Sequence, residues 1–387
     1  MKLRRLLVTF AVLTMLALSL GLVAAQDATP EATVAPVPGS GLITGPADGE
    51  AQALTGAGAT FPDPLYTAWF TDYAALTKVQ INYQAIGSGG GIKGITDGTV
   101  DFGASDAPMS TQQLTDATKQ CGGPVVHVAM TMGGVAVTYN IPELTSSNTA
   151  LKFTPDTLSG VYLGTITTWN DPKLVADNPD LKDVAQPIAV IHRSDGSGTT
   201  NIFASYLKAV SPTWSTKVGA GTSVSWPTGI GQKGSAGVSG AIAGVPYSIG
   251  YVETGYAVQN QLPVAQIMNK NGTFAVPSTD SVSAAAAGVK LPPDLRIMIV
   301  NGAGDTTYPI SGFTWILVCP VQKDAAKATA LTRVLWWAIH DGQSYGPALN
   351  YAPLPEAAIK ADEAQLLKIK VDGKPALPAD LQAAITK

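Results

Sequence analysis

Four short segments of this chain carry the residues that could do chemistry, and all four are turns rich in glycine, serine, threonine or alanine. In chain order they are GAGATFP (56–62), GSGGGIK (87–93), FGASDAP (102–108) and HRSDGSGTT (192–200). The first, second and fourth lead from a strand-like run into a helical pattern. There the small residues let the backbone turn tightly, and the free N–H groups of the first helical turn point toward one place. Such turns predict cradles for an anion.

Each turn has a plainer interpretation when it stands alone. A glycine-rich turn is often only a flexible loop, and 87–93 lacks the Gly-Lys-Ser/Thr ending of a nucleotide-binding P-loop. Arg193 offers a planar fork of donors that Asp195 is placed to hold in register. A pair at this spacing is more often a surface ion pair. Asp106 would by itself be a turn aspartate.

The elements that must position these turns alternate along the chain. Apolar residues at the helical spacing of Leu65, Trp69 and Tyr73 predict one amphipathic helix, and Ser110 with Gln113 predicts a capping box at the start of another. Between such helices lie β-rich runs at 79–86, 99–104, 125–130, 134–140, 187–193, 249–253, 296–302 and 313–319. This alternation predicts βαβ units and an α/β fold.

The N-terminus predicts export. Three cations in the first five residues precede an apolar run over 6–25 that ends in Val-Ala-Ala, the layout of a signal peptide at 1–25. The run is also long enough to be an uncleaved membrane anchor. No cysteine lies near the junction to accept a lipid. Residues 26–50 are rich in Pro, Ala, Thr and Gly, so we expect a disordered leader there.

Length and charge limit the function classes. About 335 residues follow the leader, which exceeds the size of one usual core, so we expect two lobes. Without the three cations of the signal peptide, 21 Lys and Arg stand against 28 Asp and Glu, a net charge of −7. This charge disfavours binding to nucleic acid or to an anionic membrane. If the ligand is an anion, local dipoles must hold it.

The cysteines and histidines point to no metal or cofactor. Cys121 and Cys319 are the only two cysteines, and they could form a single bridge after export or remain two buried free thiols. His127, His192 and His340 are scattered and form no ligand-spaced pair. We therefore expect neither a metal site nor a cofactor.

Together and in order, the segments resemble the periplasmic phosphate-binding proteins that serve the bacterial Pst-type phosphate ABC transporter. The resemblance covers nearly the whole chain after the leader. Its motifs are TGAGATFPDPLYTAWF (55–70), INYQAIGSGGGIKGITDGTVDFGASDAPMS (81–110), LSGVYLGTITTWNDP (158–172), HRSDGSGTTNIFASYL (192–207), SVSWPTGIGQKGSAGVSG (223–240), IGYVETGYA (249–257) and YPISGFTWILV (308–318).

The resemblance implies a two-lobed periplasmic-binding-protein fold, in which each lobe is a doubly wound sheet flanked by helices and the ligand lies in the cleft between them. Residues 51–130 with 305–387 would form the first lobe and 131–304 the second. It also implies that Asp195 orients Arg193 and that Phe61 and Gly198 act through backbone N–H groups. The implied ligand contacts are Thr60, Phe61, Ser88, Asp106, Arg193, Ser197, Gly198 and Thr199.

The implied function is that of a monomeric receptor without catalytic activity, which binds inorganic phosphate by domain closure and delivers it to membrane permease subunits. Asp106 would select phosphate, because its carboxylate can accept a hydrogen bond from a protonated anion but not from sulfate. Two alternatives remain. The ligand could be another oxyanion, such as sulfate, molybdate or a phosphonate, or Ser88, Ser197 or Thr199 could be the nucleophile of a phosphate-ester hydrolase. For the hydrolase the sequence offers no activating base or metal.

Overall fold

The computed structural model describes residues 41–144 and 150–385. The strands are β1 (Ala53–Gly58), β2 (Gln80–Ala85), β3 (Phe102–Ser105), β4 (Val126–Asn140), β5 (Lys152–Phe153), β6 (Ala189–Arg193), β7 (Ile230–Gln232), β8 (Ser248–Glu253), β9 (Gln266–Met268), β10 (Phe274–Ala275), β11 (Ser311–Val318), β12 (Val321–Gln322), β13 (Lys370–Val371) and β14 (Lys374–Pro375).

Helices connect most of these strands. They are α1 (Asp63–Thr77), α2 (Ser88–Asp97), α3 (Thr111–Cys121), α4 (Pro155–Tyr162), α5 (Pro172–Asp177), α6 (Gly198–Val210), α7 (Pro212–Lys217), α8 (Gly234–Gly244), α9 (Thr254–Gln259), α10 (Thr279–Ala286), α11 (Ala325–Ile339), α12 (Glu356–Leu366) and α13 (Ala379–Ile385). Short 3-10 turns lie at Pro142–Leu144, Pro179–Leu181, Asp341–Tyr345 and Pro347–Leu349.

The long strand β4 joins two halves of one eight-stranded mixed sheet, whose order is β2-β1-β3-β11-β4-β8-β6-β7. Residues 126–134 of β4 pair antiparallel with β11, and residues 135–140 pair antiparallel with β8. The first part of β4 therefore borders the strands β11, β3, β1 and β2, in that order. Its second part borders β8, β6 and β7. We call these the first and second sheet halves.

Both halves are wound in the same way. In the first half β1 is central and lies parallel to β2 on one side and to β3 on the other, with α1 and α2 as the crossovers. In the second half β6 is central and lies parallel to β7 and β8, with α6, α7 and α8 in the connections. The predicted α/β class with two wound sheets is confirmed. The predicted lobe limits stay a prediction.

Burial explains why these segments form these elements. Fourteen of the fifteen residues of β4 are buried, as expected for a central strand covered by helices on both faces. Leu65, Trp69 and Tyr73 of α1 are fully buried, so their spacing marks the face that packs on the sheet. The capping box of Ser110 and Gln113 is present at the start of α3.

Two strand predictions are wrong. The runs at 125–130 and 134–140 form the single strand β4, because Gly133 between them and Gly134 at the start of the second run stay extended and pair with β11. The run at 296–302 is not a strand. Leu295 and Asn301 both have positive φ, at 56° and 54°, and two such residues interrupt an extended backbone.

The prediction of a disordered leader over 26–50 is wrong for residues 41–50. Ile43 is buried in the main core, and Glu50 forms an ion pair of 2.6 Å with Arg333 of α11. Nη2 of Arg333 also donates to the Gly45 carbonyl at 2.7 Å. One apolar contact and one buried ion pair order a segment whose average composition is that of a linker. Residues 26–40 and the predicted signal peptide at 1–25 lie outside the described residues.

None of the helices in the described ranges is long and apolar enough to cross a membrane.

Cys121 and Cys319 form a disulfide, so of the two alternatives the structure contains the bridge. Cys121 ends α3, and Cys319 directly follows β11. The bond ties this helix to the sheet and closes a loop of 198 residues. A crosslink over such a distance restricts the unfolded chain strongly.

We predict that replacing both cysteines by alanine lowers the free energy of unfolding by about 2–4 kcal/mol, because the unfolded chain regains its loop entropy. Chemical denaturation of the two proteins measures the difference. Reductant should destabilise the wild type and leave the double variant unchanged. Equal midpoints for the oxidised wild type and the double variant would contradict a stabilising bridge.

Candidate functional site

The first part of the site is built from three turns of the first sheet half, and we call Thr60, Phe61, Ser88 and Asp106 the first wall. Thr60 and Phe61 lie between β1 and α1 and are buried. Two tyrosine hydroxyls from distant parts of the chain donate to the carbonyl groups of this turn. Tyr256 donates to the Thr60 carbonyl at 2.9 Å, and Tyr351 donates to the Phe61 carbonyl at 2.7 Å.

Ser88 and Asp106 form one connected pair. Ser88 is the first residue of α2, and its Oγ accepts from the Asp106 N–H at 3.2 Å and donates to Asp106 Oδ2 at 3.4 Å. Oδ1 of Asp106 accepts from the Thr314 hydroxyl of β11 at 2.8 Å. Asp106 is only 1% exposed. This burial raises the pKa of its carboxyl to about 7, although the Thr314 hydrogen bond and the Arg193 charge act to lower it.

The second part of the site comes from the turn between β6 and α6, and we call Arg193, Asp195, Ser197, Gly198 and Thr199 the second wall. Arg193 ends β6 and is 3% exposed. Its Nε donates to Asp195 Oδ1 at 2.7 Å and its Nη2 donates to Oδ2 at 2.5 Å, a two-point ion pair. Nη1 makes no bond to this carboxylate, so one arm of the fork faces away from it.

Asp195 is held as a carboxylate by this contact. Burial acts to raise its pKa, but the hydrogen bonds and the charge of Arg193 outweigh burial and leave the pKa below its ordinary value. The Gly234 N–H also donates to Asp195 Oδ1, at 3.0 Å. The side chains of this pair are only 2% and 11% exposed, so the alternative of a surface ion pair does not hold. Asp195 neutralises most of the charge of Arg193 and fixes its orientation.

The start of α6 supplies further donors. Ser197 is the N-cap, and its Oγ accepts from the Thr200 N–H at 3.1 Å. The Oγ1 hydroxyl of Thr199 is buried and has no hydrogen-bond partner in the described part of the chain. A buried hydroxyl at the N-terminus of a thirteen-residue helix suits an anionic oxygen.

The two walls touch each other through backbone and small side chains. The Gly198 N–H donates to Ser88 Oγ at 3.0 Å, and the Gly89 N–H donates to the Gly196 carbonyl at 2.8 Å. A Cβ on Gly198 would lie 2.5 Å from Ser88 Oγ and 2.6 Å from the Asp106 Cβ. Only glycine permits this approach. The structure therefore brings all nine predicted residues into one buried cluster, and their role as ligand contacts stays a prediction.

Sequence reasoning missed several residues that support this cluster. Ser235, the second residue of α8, has its Oγ 2.9 Å from Thr60 Oγ1 and 3.4 Å from Arg193 Nη1. The Tyr251 hydroxyl accepts from the Arg193 N–H at 3.2 Å. Ser235 follows a glycine at the start of a helix, the same local signal as in the four turns. Thr314 and Tyr251 lie inside strands and carry no such signal.

The arrangement can bind a small anion by hydrogen bonds. Hydroxyls, N–H groups and one arm of Arg193 are donors, and Asp106 is the one carboxylate of the cluster that is not bound to Arg193. Among residues 41–144 and 150–385, no group of three His, Cys, Asp or Glu side chains could hold a metal ion.

Comparison with known proteins identifies the family. The model of a PBP superfamily domain matches residues 38–340. The phosphate-binding protein PstS of Pasteurella multocida is 40% identical over 318 residues, which are 82% of this chain and 90% of the relative. The PstS protein of Haemophilus influenzae is 39% identical over 318 residues, 82% of this chain and 93% of the relative.

Solved structures agree on the fold. A high-affinity periplasmic phosphate-binding protein bound with phosphate superposes with a TM-score of 0.68 at 23% identity, covering 81% of this chain and 93% of that one. A phosphate-binding protein from Stenotrophomonas maltophilia gives a TM-score of 0.62 at 19% identity, covering 81% and 94%. With the sequence matches, the two sheet halves and the cluster between them, this chain belongs to the PBP superfamily, in the family of the PstS phosphate-binding proteins.

Proposed function

We propose that this protein is an extracytoplasmic receptor that binds inorganic phosphate between its two sheet halves and delivers it to an ABC transporter permease. The composition of the buried cluster carries the proposal, because donors from both halves lie near Asp106, the one carboxylate of the cluster that is not bound to Arg193. Its relatives are named phosphate-binding proteins, and one structural neighbour was solved with phosphate bound. The acceptor, Asp106, fits an anion that still carries a proton.

Each wall contributes a different part of the proposed contact. The first wall supplies the Thr60 hydroxyl, the Phe61 N–H and the Asp106 carboxylate. The Ser88 hydroxyl donates to Asp106 in this structure and would turn to the anion on binding. The second wall supplies Nη1 of Arg193 and the hydroxyls of Ser197 and Thr199, while Asp195 holds Arg193 in place. It also supplies the Gly198 N–H, which donates to Ser88 in this structure and would turn to the anion on binding. Neither wall alone surrounds the anion. Binding therefore favours the state in which the walls are together, by the difference in affinity between the two states.

The donors are mainly fixed dipoles, which suits a protein whose net charge is negative. Backbone N–H groups and hydroxyls that are already oriented can replace the hydration shell of the anion without reorganising. Arg193 adds one positive charge that Asp195 largely neutralises. This arrangement binds an anion tightly and still permits its release when the walls separate.

We propose a receptor rather than a hydrolase because no histidine of the described residues reaches a hydroxyl of the cluster, and the one hydroxyl that donates to Asp106, that of Ser88 at 3.4 Å, has its oxygen occupied. Ser88 Oγ already accepts from two N–H groups, those of Asp106 and Gly198. The three histidines are engaged elsewhere: His127 with Met109, His192 with the Arg193 carbonyl and Trp226, and His340 with Glu363. Nucleophilic catalysis needs such a base within hydrogen-bond reach.

The location, the oligomeric state and the partners of the protein also belong to the proposal. We propose that the chain is exported to the periplasm or another extracytoplasmic space, that it acts as a monomer, and that its partners are permease subunits in the membrane. The support is the signal-peptide layout of the sequence and the membership of the PstS family.

We predict that the protein binds phosphate with a dissociation constant of about 1 μM or tighter, because several charge-assisted hydrogen bonds converge on the anion. Calorimetric titration with phosphate, and with sulfate as the competing anion, measures this. Arg193→Ala should weaken binding by about 100-fold or more, because it removes a buried donor and leaves Asp195 unpaired.

His192→Ala is the matched control for Arg193→Ala, because its ring stacks on Trp226 at a centroid distance of 4.7 Å, outside the cluster. It should change the affinity by no more than about threefold. Absence of heat and of thermal stabilisation with millimolar phosphate would refute the proposed function. Equal losses in the two variants would refute the role of Arg193.

We predict that Asp106 makes anion selectivity depend on pH. With a pKa of about 7, Asp106 is mainly ionised at about pH 8.5 and mainly protonated at about pH 5.5. The ionised carboxylate repels sulfate, whereas the protonated carboxyl can donate to it. Sulfate should therefore bind better at the lower pH, while phosphate changes less because it can pair with either form.

Asp106→Asn is the control for this prediction, since its amide keeps a donor and does not titrate. In this variant the preference for phosphate over sulfate should narrow, and the pH dependence of sulfate binding should disappear. Competition titrations at both pH values measure it, with circular dichroism to check folding. A folded variant that excludes sulfate as completely as the wild type would contradict the role of Asp106.

A further inference from the structure

Ser235 connects the two walls, although it belongs to neither of them. It is 1% exposed and lies in the first turn of α8. Its Oγ is 2.9 Å from Thr60 Oγ1 in the first wall and 3.4 Å from Arg193 Nη1 in the second wall. Its backbone N–H also donates to Thr60 Oγ1, at 3.3 Å.

The chemistry of arginine fixes the direction of the hydrogen bond between Arg193 and Ser235, and it allows Ser235 to be the donor to Thr60. A guanidinium can only donate, so Ser235 Oγ accepts from Arg193 Nη1. The Ser235 hydroxyl proton is then free to donate to Thr60 Oγ1. Thr60 Oγ1 also accepts from the Ser235 N–H. When Ser235 is the donor of this hydroxyl pair, both lone pairs of Thr60 Oγ1 are occupied, and Thr60 keeps its own proton for a third partner.

Ser235 is fixed to the second wall and reaches the first. The Gly234 N–H, one residue before it, donates to Asp195 Oδ1 at 3.0 Å, and Asp195 also holds Arg193. The start of α8 is thereby tied to the ion pair of the second wall. The bond from Ser235 to Thr60 needs the two walls to be together, and the positive charge of Arg193 polarises it.

We propose that Ser235 is a positioning residue, which completes a hydrogen-bond chain from Arg193 through Ser235 to Thr60 and so makes the Thr60 hydroxyl a donor to the bound anion. This inference rests on the proposed phosphate-binding function. Without Ser235 the Thr60 hydroxyl can rotate and use its proton elsewhere. Loss of the chain removes one aligned donor and one contact that holds the walls together.

The test is the variant Ser235→Ala, with Ser239→Ala as its matched control. Ser239 lies one turn further along the same helix and is also 1% exposed, but its Oγ donates to the Ala236 carbonyl of its own helix. Ser235→Ala should weaken phosphate binding about tenfold, mainly through faster dissociation in stopped flow, whereas Ser239→Ala should stay within about twofold. The melting temperatures without phosphate should match in all these proteins.

A double-mutant cycle separates positioning from general packing. If Ser235 acts through Thr60, then Thr60→Val with Ser235→Ala should bind phosphate no more weakly than Thr60→Val alone. Ser235→Thr, which keeps the hydroxyl, should bind nearly as tightly as the wild type. If the alanine variant does not fold, Ser235→Gly, which also lacks the hydroxyl, replaces it with the same expected loss. Additive losses, or wild-type affinity in Ser235→Ala, would overturn the proposal. A wild-type protein that does not bind phosphate would instead refute the proposed function itself.

Discussion

The buried ion pair of Arg193 and Asp195 is the interaction on which the rest of the site depends. A guanidinium that is 3% exposed needs a partner, because an unpaired buried charge costs several kcal/mol. Asp195 provides that partner at two points and leaves Nη1 to donate to Ser235 Oγ at 3.4 Å. The same carboxylate fixes the start of α8 through Gly234, and the Arg193 N–H is bonded to Tyr251 of the neighbouring strand. Removing Asp195 would therefore leave the charge of Arg193 unpaired, release the orientation of its guanidinium and free the start of α8.

The two aspartates of the site have pKa values that are shifted in opposite directions. Asp195 stays ionised because Arg193 lies against it, and its pKa is below the ordinary value. Asp106 is buried without a direct cationic partner, and burial raises its pKa to about 7. Asp195 therefore neutralises Arg193, whereas the ionised Asp106 can accept a hydrogen bond only from a ligand that carries a proton. The same burial makes each mismatch costly, because water cannot satisfy the unpaired group.

The turns of the site could be predicted from the sequence, but the contacts between residues far apart in the chain could not. The turns at 56–62, 87–93 and 192–200 are marked in the sequence by glycine and by the helix that follows, and the resemblance to phosphate-binding proteins implied the residues of both walls. The contact of Thr60 with Ser235 joins residues 175 positions apart, and that of Asp106 with Thr314 joins residues 208 apart. Such pairs depend on the packing of the sheet. The order of residues 41–50 likewise depends on the distant Arg333, which composition does not show.

We propose that one bound anion bridges the two walls and holds the two sheet halves together. Small-angle X-ray scattering of the mature protein, recorded without and with saturating phosphate, tests this claim most directly. We predict that phosphate lowers the radius of gyration, because the bound anion favours the state in which the two walls are together. An unchanged radius of gyration, at a phosphate concentration that calorimetry shows to be saturating, would contradict binding by closure.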